Sequence, residues 1–253
     1  MILSGLDPSG GAGIQADIQT VTALGCHPLP VVTCLTVQDT RNVYDAAAVD
    51  AGLIHKQLEC LAADAPIHAI KTGALGNAAV VEVLAAFATR YPNIPLITDP
   101  VIKAAGGGDL ADDALIEAMK HRLFSLAEMI TPNGIELAML GETDDPAEAA
   151  RRLMAAGCQS VLATGGHGDG PQIINTLFST SGEPTTWQID RMGGEYHGTG
   201  CTLAAAIAAG RAAGLSARAA ISQAQNFVNR AISHALEVGH GQPVPDRGIT
   251  WER

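Results

Sequence analysis

Met1-Ile2-Leu3-Ser4-Gly5-Leu6, Asp7-Pro8-Ser9-Gly10-Gly11-Ala12-Gly13 and Ile14-Gln15-Ala16-Asp17-Ile18 follow one another at the start of the chain. The first piece is an apolar run of strand length, the second a glycine-rich loop, and the third opens a helix whose apolar stripe is Ile14, Ile18, Val21 and Leu24. The same alternation recurs to the end of the sequence. Apolar runs at residues 29–37, 67–71, 94–99, 129–131, 160–164, 173–178 and 185–190 are separated by longer segments. Two of those segments carry helical stripes, at Leu53, Ile54, Leu58 and Leu61 and at Ile221, Ala224, Val228 and Ile232. Strands alternating with helices predict an α/β fold, a mostly parallel central sheet with helices on both faces. Residues 173–190, two runs around a Ser-Thr-Ser-Gly turn, predict a small antiparallel edge. In such sheets ligands bind outside the carboxyl ends of the strands, so the loops after strands are where function is expected.

At 253 residues the chain suits one large core, and we expect a single domain over residues 1–253, with 239–253 as a surface tail. A net charge of −11 with only four lysines argues against nucleic acid as a partner, because a phosphate backbone requires a basic face. The uncharged stretch 201–210 is shorter than the roughly 20 residues that span a bilayer. No membrane association is expected. The start of the chain has no secretory pattern, and the five cysteines contain no C-x-x-C pair, which together imply reduced thiols and a cytoplasmic protein.

The strongest chemical signal is His197-Gly198-Thr199-Gly200-Cys201 followed by a small, apolar helix. Glycines at a helix start let the backbone approach an anion, and the first-turn N–H groups point at it. Cys201 in that turn is expected to have a pKa drawn below that of a free thiol, which makes it a candidate base or nucleophile. An ordinary glycine turn before a buried cysteine is the competing reading. The first loop formally matches G-x-G-x-x-A through Gly11, Gly13 and Ala16. Asp7 and Pro8, however, put a carboxylate where a pyrophosphate would rest, which argues against a dinucleotide-binding oxidoreductase. No G-x-x-x-x-G-K-[S/T] element is present.

Other strand ends add weaker signals. Gln38 offers an acceptor and a donor to an aminopyrimidine-like edge, and Asp17 an acceptor for an amine or hydroxyl; a turn and a helix-start charge are the alternatives. Asp99 closes one strand, and Asn133 and Glu136 have capping-box spacing after another. The same carboxylates and amide suit a Mg²⁺–triphosphate complex held mostly through water. Thr164-Gly165-Gly166-His167 offers backbone N–H groups to phosphates, or is simply a turn.

In order along the chain stand residues 7–17, Leu35-Thr36-Val37-Gln38-Asp39-Thr40, Lys71-Thr72-Gly73, Asp99-Pro100-Val101, Thr131-Pro132-Asn133, Gly165-Gly166-His167 and residues 197–203. As a set they resemble the hydroxymethylpyrimidine/phosphomethylpyrimidine kinases of thiamine biosynthesis, in the ribokinase-like superfamily. The resemblance implies a ribokinase-like fold, ATP and Mg²⁺ as cofactors, and a homodimer. It implies two phosphorylations, of the pyrimidine hydroxymethyl group and then of the resulting monophosphate. Gly198, Thr199, Gly200 and Cys201 would form the anion hole, with Cys201 at the position of the family's base. Gly5, Asp17 and Gln38 would lie at the pyrimidine; Thr164, Gly166 and Asn133 at the nucleotide; Asp99 and Glu136 at the metal. The chain departs from the family at Ala74, often methionine, at Thr164, often lysine, and at Asp39, often asparagine. Lys103 or Arg191 would be the cations to replace that lysine. A pyridoxal kinase, which phosphorylates a similar ring, and a non-catalytic pyrimidine-binding protein are the rival readings.

Overall fold

The computed structural model describes residues 1–102, 110–166, 170–180 and 182–248. Lys103, His167, Ser181 and the last five residues of the expected tail lie outside them. Nine strands form one sheet: β1 (Ile2–Leu6), β2 (Pro30–Gln38), β3 (Val43–Ala48), β4 (Ile70–Thr72), β5 (Leu96–Thr98), β6 (Met129–Ile130), β7 (Ser160–Ala163), β8 (Gln172–Ser179) and β9 (Gly182–Asp190). Their order is β3-β2-β1-β4-β5-β6-β7-β8-β9. Strands β2, β1, β4, β5, β6 and β7 are parallel, while β3, β8 and β9 join by antiparallel pairing. The expected mostly parallel sheet is present, and the hairpin β8–β9 is the expected antiparallel edge.

A second antiparallel edge, β3, has no signature in the hydrophobic pattern. Its sequence Val-Tyr-Asp-Ala-Ala-Ala has half its positions in alanine, a poor strand former, and every residue but Val43 is exposed. Backbone pairing of residues 43–48 with β2 holds it in place.

The helices are α1 (Gly13–Ala23), α2 (Ala51–Asp64), α3 (Ala78–Arg90), α4 (Asp113–Ala118), α5 (Gly134–Gly141), α6 (Pro146–Ala155), α7 (Thr199–Ala212) and α8 (Ala217–Ser233). Side-chain alternation along the central strands sends successive residues to two cores. Leu3 and Ile130 pack with Ile54, Leu58, Val80 and Leu84 from α2 and α3. Ile2 packs with Ile14, Val21, Ala205 and Ala209 from α1 and α7, and Ile97 and Met129 with residues of α7 and α8. Of the α2 stripe, Ile54 and Leu58 are buried but Leu53 is exposed.

Helix α7 is buried on all sides from Thr202 to Gly210, which accounts for its alanines. A Cβ on Gly210 would stand 2.9 Å from that of Ala220, so the small residues let α7 and α8 lie close together. No helix among the described residues is long and apolar enough to cross a membrane.

Residues 243–247 are not a surface tail. Val244 exchanges backbone hydrogen bonds with Leu236, the Asp246 N–H donates to the Ala231 carbonyl, and Arg247 is only 2% exposed. Backbone bonds and one buried cation bind this segment to the body, a contact that its polar, proline-containing composition does not reveal.

Candidate active site

The parallel register sets the centre of the site. Ile2, Lys71, Ile97 and Met129 are neighbours across β1, β4, β5 and β6, so Lys71 lies in a row otherwise apolar and points at α1 and α7. There its ammonium meets Asp17 of α1 at 2.8 Å, with both side chains essentially fully buried. Burial alone would lower the lysine pKa, but Asp17, Cys201 and Asp99 outweigh it and hold it above the ordinary value. Asp17 was expected to meet a ring amine or hydroxyl directly; it is instead enclosed under the strand ends and engaged with Lys71.

Cys201 lies against this cluster, close enough to Lys71, Asp99 and Asp17 for their charges to act on its thiol. Burial pushes its thiol up to about 12; Lys71 opposes the rise, and Asp99 and Asp17 add to it. Burial and two acidic neighbours thus act against the lowering expected from the helix start. Asp99 is itself pushed up to about 6, first by burial and then by Asp17, against the pull of Lys71 and Cys201.

The anion-hole loop is shaped by contact with the first loop. Gly198 caps α7 in a left-handed conformation (φ +85°), and a Cβ there would lie 2.0 Å from the Gly11 carbonyl oxygen. Only glycine fits. At Gly200, by contrast, a Cβ would meet nothing within 4 Å. Folding does not require that glycine, and its open surround is where a ligand can approach the backbone. The first turn of α7 has no side-chain cap. The Asp7 carboxylate is turned into its own loop. It accepts from Ser9 N, Ser9 Oγ and Ala12 N, and contacts His197 Nε2 at 2.8 Å. Burial would raise its pKa, but these partners prevail and hold it below the usual carboxylate value.

Gly5 packs against Cys34 and Ala74; a Cβ would come within 2.6 Å of the Cys34 sulfur. Gln38 ends β2 and lines a small cavity with His197 and Gln242, which brings it beside the α7 loop. Asp39 is absorbed locally: it accepts from the backbone of Arg41 and Asn42 and closes the β2–β3 turn.

On the other flank, Asn133 caps α5 and Glu136 completes the capping box, accepting from Asn133 N at 2.9 Å. Burial and the charge of Asp99 push Glu136 up to about 8. Thr164 pairs with Asn133 in a bridge, its hydroxyl directed at the Pro132 carbonyl. Gly166 has open space around its Cβ position. Arg191 does not point at this loop's N–H groups; it donates to the carbonyls of Gly165, Gly166 and Gly170 and braces the turn.

Among the described residues no three His, Cys, Asp or Glu side chains converge on a metal position. Asp99 nevertheless lies close enough to Glu136 for its charge to raise the Glu136 pKa, which brings two carboxyl groups to one place. Such a donor set fits Mg²⁺ reached through waters and phosphate oxygens, not a cage of protein ligands.

The family model for phosphomethylpyrimidine kinase matches residues 7–245. The chain belongs to the phosphomethylpyrimidine kinase family. It is 35% identical over 249 residues to the hydroxymethylpyrimidine/phosphomethylpyrimidine kinase of Escherichia coli, covering 95% of this chain and 94% of that protein. It is 37% identical over 246 residues to the thiamine biosynthesis bifunctional protein ThiED of Geobacter sulfurreducens; there it covers 95% of this chain but spans only 50% of the relative. Among solved structures, an ADP complex of Bacillus subtilis pyridoxal kinase superposes with a TM-score of 0.87 at 27% identity, over 97% of this chain and 96% of that one. Family and fold agree with the ribokinase-like architecture expected from the motifs.

Lys71 is the site residue that motif reading quoted without assigning a role. Its signal is a lysine inside a strand whose register neighbours are apolar. Arg247 was missed altogether, since a lone arginine in a polar segment carries no signal.

Proposed function

We propose that this phosphomethylpyrimidine kinase family member transfers the γ-phosphoryl group of ATP to the hydroxymethyl oxygen of 4-amino-5-hydroxymethyl-2-methylpyrimidine. It then phosphorylates the monophosphate to the diphosphate at the same site. The observation that carries this reading is the uncapped start of α7, open at Gly200, beside the buried Lys71, Asp17 and Asp99 and the half-buried Cys201.

In this mechanism the N–H groups of Gly198, Thr199, Gly200 and Cys201 hold the transferring phosphoryl oxygens. Gly5 and Gln38 border the pyrimidine, and Asp17 acts from beneath it by holding Lys71. Thr164, Gly166 and Asn133 receive the nucleotide. Asp99 and Glu136 would hold Mg²⁺ through waters, and the ion supplies charge neutralisation to the phosphates. Positioning and electrostatics do most of the work in such a transfer. Cys201 takes the hydroxyl proton only as a thiolate, so its role as base requires a shift toward ionisation when the site fills. Lys71 and the Gly13 N–H are the groups present that favour the thiolate. The second step needs less help, because a phosphate monoester with a second pKa of about 6 is already largely ionised near neutral pH.

We place the enzyme in the cytoplasm as one kinase domain acting as a homodimer. The exposed Leu35, Val37 and Tyr44 on β2 and β3 are the apolar surface that supports the dimer. ADP release with the aminopyrimidine alcohol, its monophosphate and pyridoxal as acceptors tests the reading. Turnover of both pyrimidines is expected. Pyridoxal as the clearly preferred acceptor, or binding without ADP release, would overturn it.

A further inference from the structure

Arg247 is the largest of the fully buried side chains. It enters the site from behind. Its Nε donates to Thr202 Oγ1 at 2.8 Å, one terminal nitrogen donates to the Gly11 carbonyl at 2.6 Å and the Gly198 carbonyl at 3.4 Å, and the other reaches Gln19 Oε1 at 3.4 Å. The Thr202 hydroxyl donates in turn to the Gly198 carbonyl at 2.7 Å. One guanidinium thus bonds both loops whose backbones meet at Gly11 and Gly198. The segment that carries it is anchored at the same place, for the His197 N–H donates to the Pro243 carbonyl at 2.9 Å.

Two physical consequences follow from this geometry. A peptide unit is planar, so holding the Gly198 carbonyl also fixes the direction of the Thr199 N–H, the first donor of the anion hole. In addition, no carboxylate among the described residues lies within ion-pair distance of Arg247. Asp7, Asp17 and Cys201 act on it only over longer range, and burial lowers its pKa to about 10, which leaves it charged at neutral pH. A buried cation without a contact anion is unfavourable unless some other negative charge arrives. The cavity it lines is bounded by Asp7, Ser9, Gln15, Gln19 and Asp246, and its link to the first turn of α7 runs through the Gly198 carbonyl and the Thr202 hydroxyl.

We propose that Arg247 is a positioning residue for phosphoryl transfer, clamping the Gly11 and Gly198 carbonyls and lending its buried charge to the anion hole from behind. The proposal rests on the kinase reading for its kinetic form and on the structure alone for its anion-binding form. The guanidinium does not touch the reacting atoms. It sets the direction of the donors that do, and it adds to the positive potential of the helix start.

Arg247→Met removes the charge and the fork at similar length; Arg247→Lys keeps the charge and loses the fork. The proposal expects kcat for the pyrimidine alcohol to fall about tenfold or more in Arg247→Met, below the hundredfold or greater loss typical of deleting a direct oxyanion donor. KM for the alcohol and ADP affinity should stay within about threefold, and Arg247→Lys should recover part of the kcat. An Arg247→Met enzyme with unchanged kcat, a loss confined to KM, or equal losses in both variants would overturn it. Should Arg247→Met not fold, Thr202→Val, which deletes the acceptor of Nε, is expected to lower kcat with KM kept; unchanged kcat there would overturn it equally.

Inorganic phosphate binding by calorimetry separates this inference from the kinase reading. Wild-type protein should bind phosphate more tightly than Arg247→Met or Thr202→Val even if it turned over no acceptor. Equal affinities sink the role of Arg247 and leave the kinase reading intact.

Discussion

Loops 7–13 and 197–201 are tied together by groups far apart in the chain: the Asp7–His197 contact spans 190 residues and the Arg247–Gly11 bond 236. Loops 131–136 and 164–166, on the flank proposed for the nucleotide, are held over shorter separations: the Asn133 cap is local, Thr164 reaches Pro132 across 32 residues and Arg191 reaches Gly165 across 26. The proposed acceptor flank therefore joins the two ends of the chain around enclosed charges, whereas the proposed nucleotide flank combines one local helix cap with contacts of intermediate range. A change on the first should disturb stability and chemistry together. On the second, a comparable change should cost about as much as one helix cap.

The largest effect is expected at Lys71. Lys71→Met leaves Asp17 enclosed without its cation, and breaking a buried pair from one side costs about 3–5 kcal/mol. Urea denaturation reads the loss, and adding Asp17→Leu should restore much of it; a single-variant loss under about 1 kcal/mol would mean that the pair does not hold the acceptor flank.

Next comes Cys201→Ala. We expect the alcohol phosphorylation to slow by about a hundredfold, a usual size for lost base catalysis, and the monophosphate step to slow less. Rates of the two steps measured separately check this, and equal losses would remove Cys201 from the role of base.

Asp7→Asn should cost roughly 1–3 kcal/mol, because it weakens a buried carboxylate bonded to His197, Ser9 and Ala12. Its pH dependence has a defined sign. The folded pKa of Asp7 lies below 3.8, so its stabilisation is present above that value and lost as pH falls through the folded pKa. Acid unfolding followed by circular dichroism should be shallower in the variant than in the wild type.

Asn133→Ala should cost about 1 kcal/mol, the usual value of a helix N-cap. A much larger loss in thermal melts would show that the nucleotide flank is as globally coupled as the acceptor flank.

Glu136 gives the most selective test. Its folded pKa of about 8 lies above the ordinary 4.5, so its contribution is in place below 4.5 and is lost as pH rises through about 8. In metal-free protein, Glu136→Gln should reduce the fall in Tm between those two pH values. An identical pH profile would contradict the burial assigned to this carboxylate.

The motifs marked the helix start proposed as an anion hole because its parts are consecutive: Gly198, Thr199, Gly200 and Cys201 occupy the start of α7. The capping box was legible for the same reason. Strand β3 was not, since exposed alanines held by backbone pairing leave no periodic pattern. The thiol of Cys201 shows where a local rule fails. A helix start alone lowers a thiol pKa, yet Asp17, Asp99 and enclosure act against that lowering, and those neighbours come from α1 and the end of β5. The polar composition of residues 239–253 likewise suggests a surface tail, while backbone bonds at Pro243, Val244 and Asp246 and the buried Arg247 bind the described part of that segment to the body.

Hydrophobic periodicity and glycine spacing are short-range properties of a chain, and they carried the α/β class, the parallel core and the family likeness. Burial and the meeting of charges are long-range properties. They appear only when the register of β1, β4, β5 and β6 brings Lys71 under α1 and α7, and when residue 247 returns to residue 11. Electrostatic free energy depends on distance and on exclusion of water. The identities of Asp17, Lys71, Asp99, Cys201 and Arg247 were written in the sequence; their ionisation and their partners come from the packing around them.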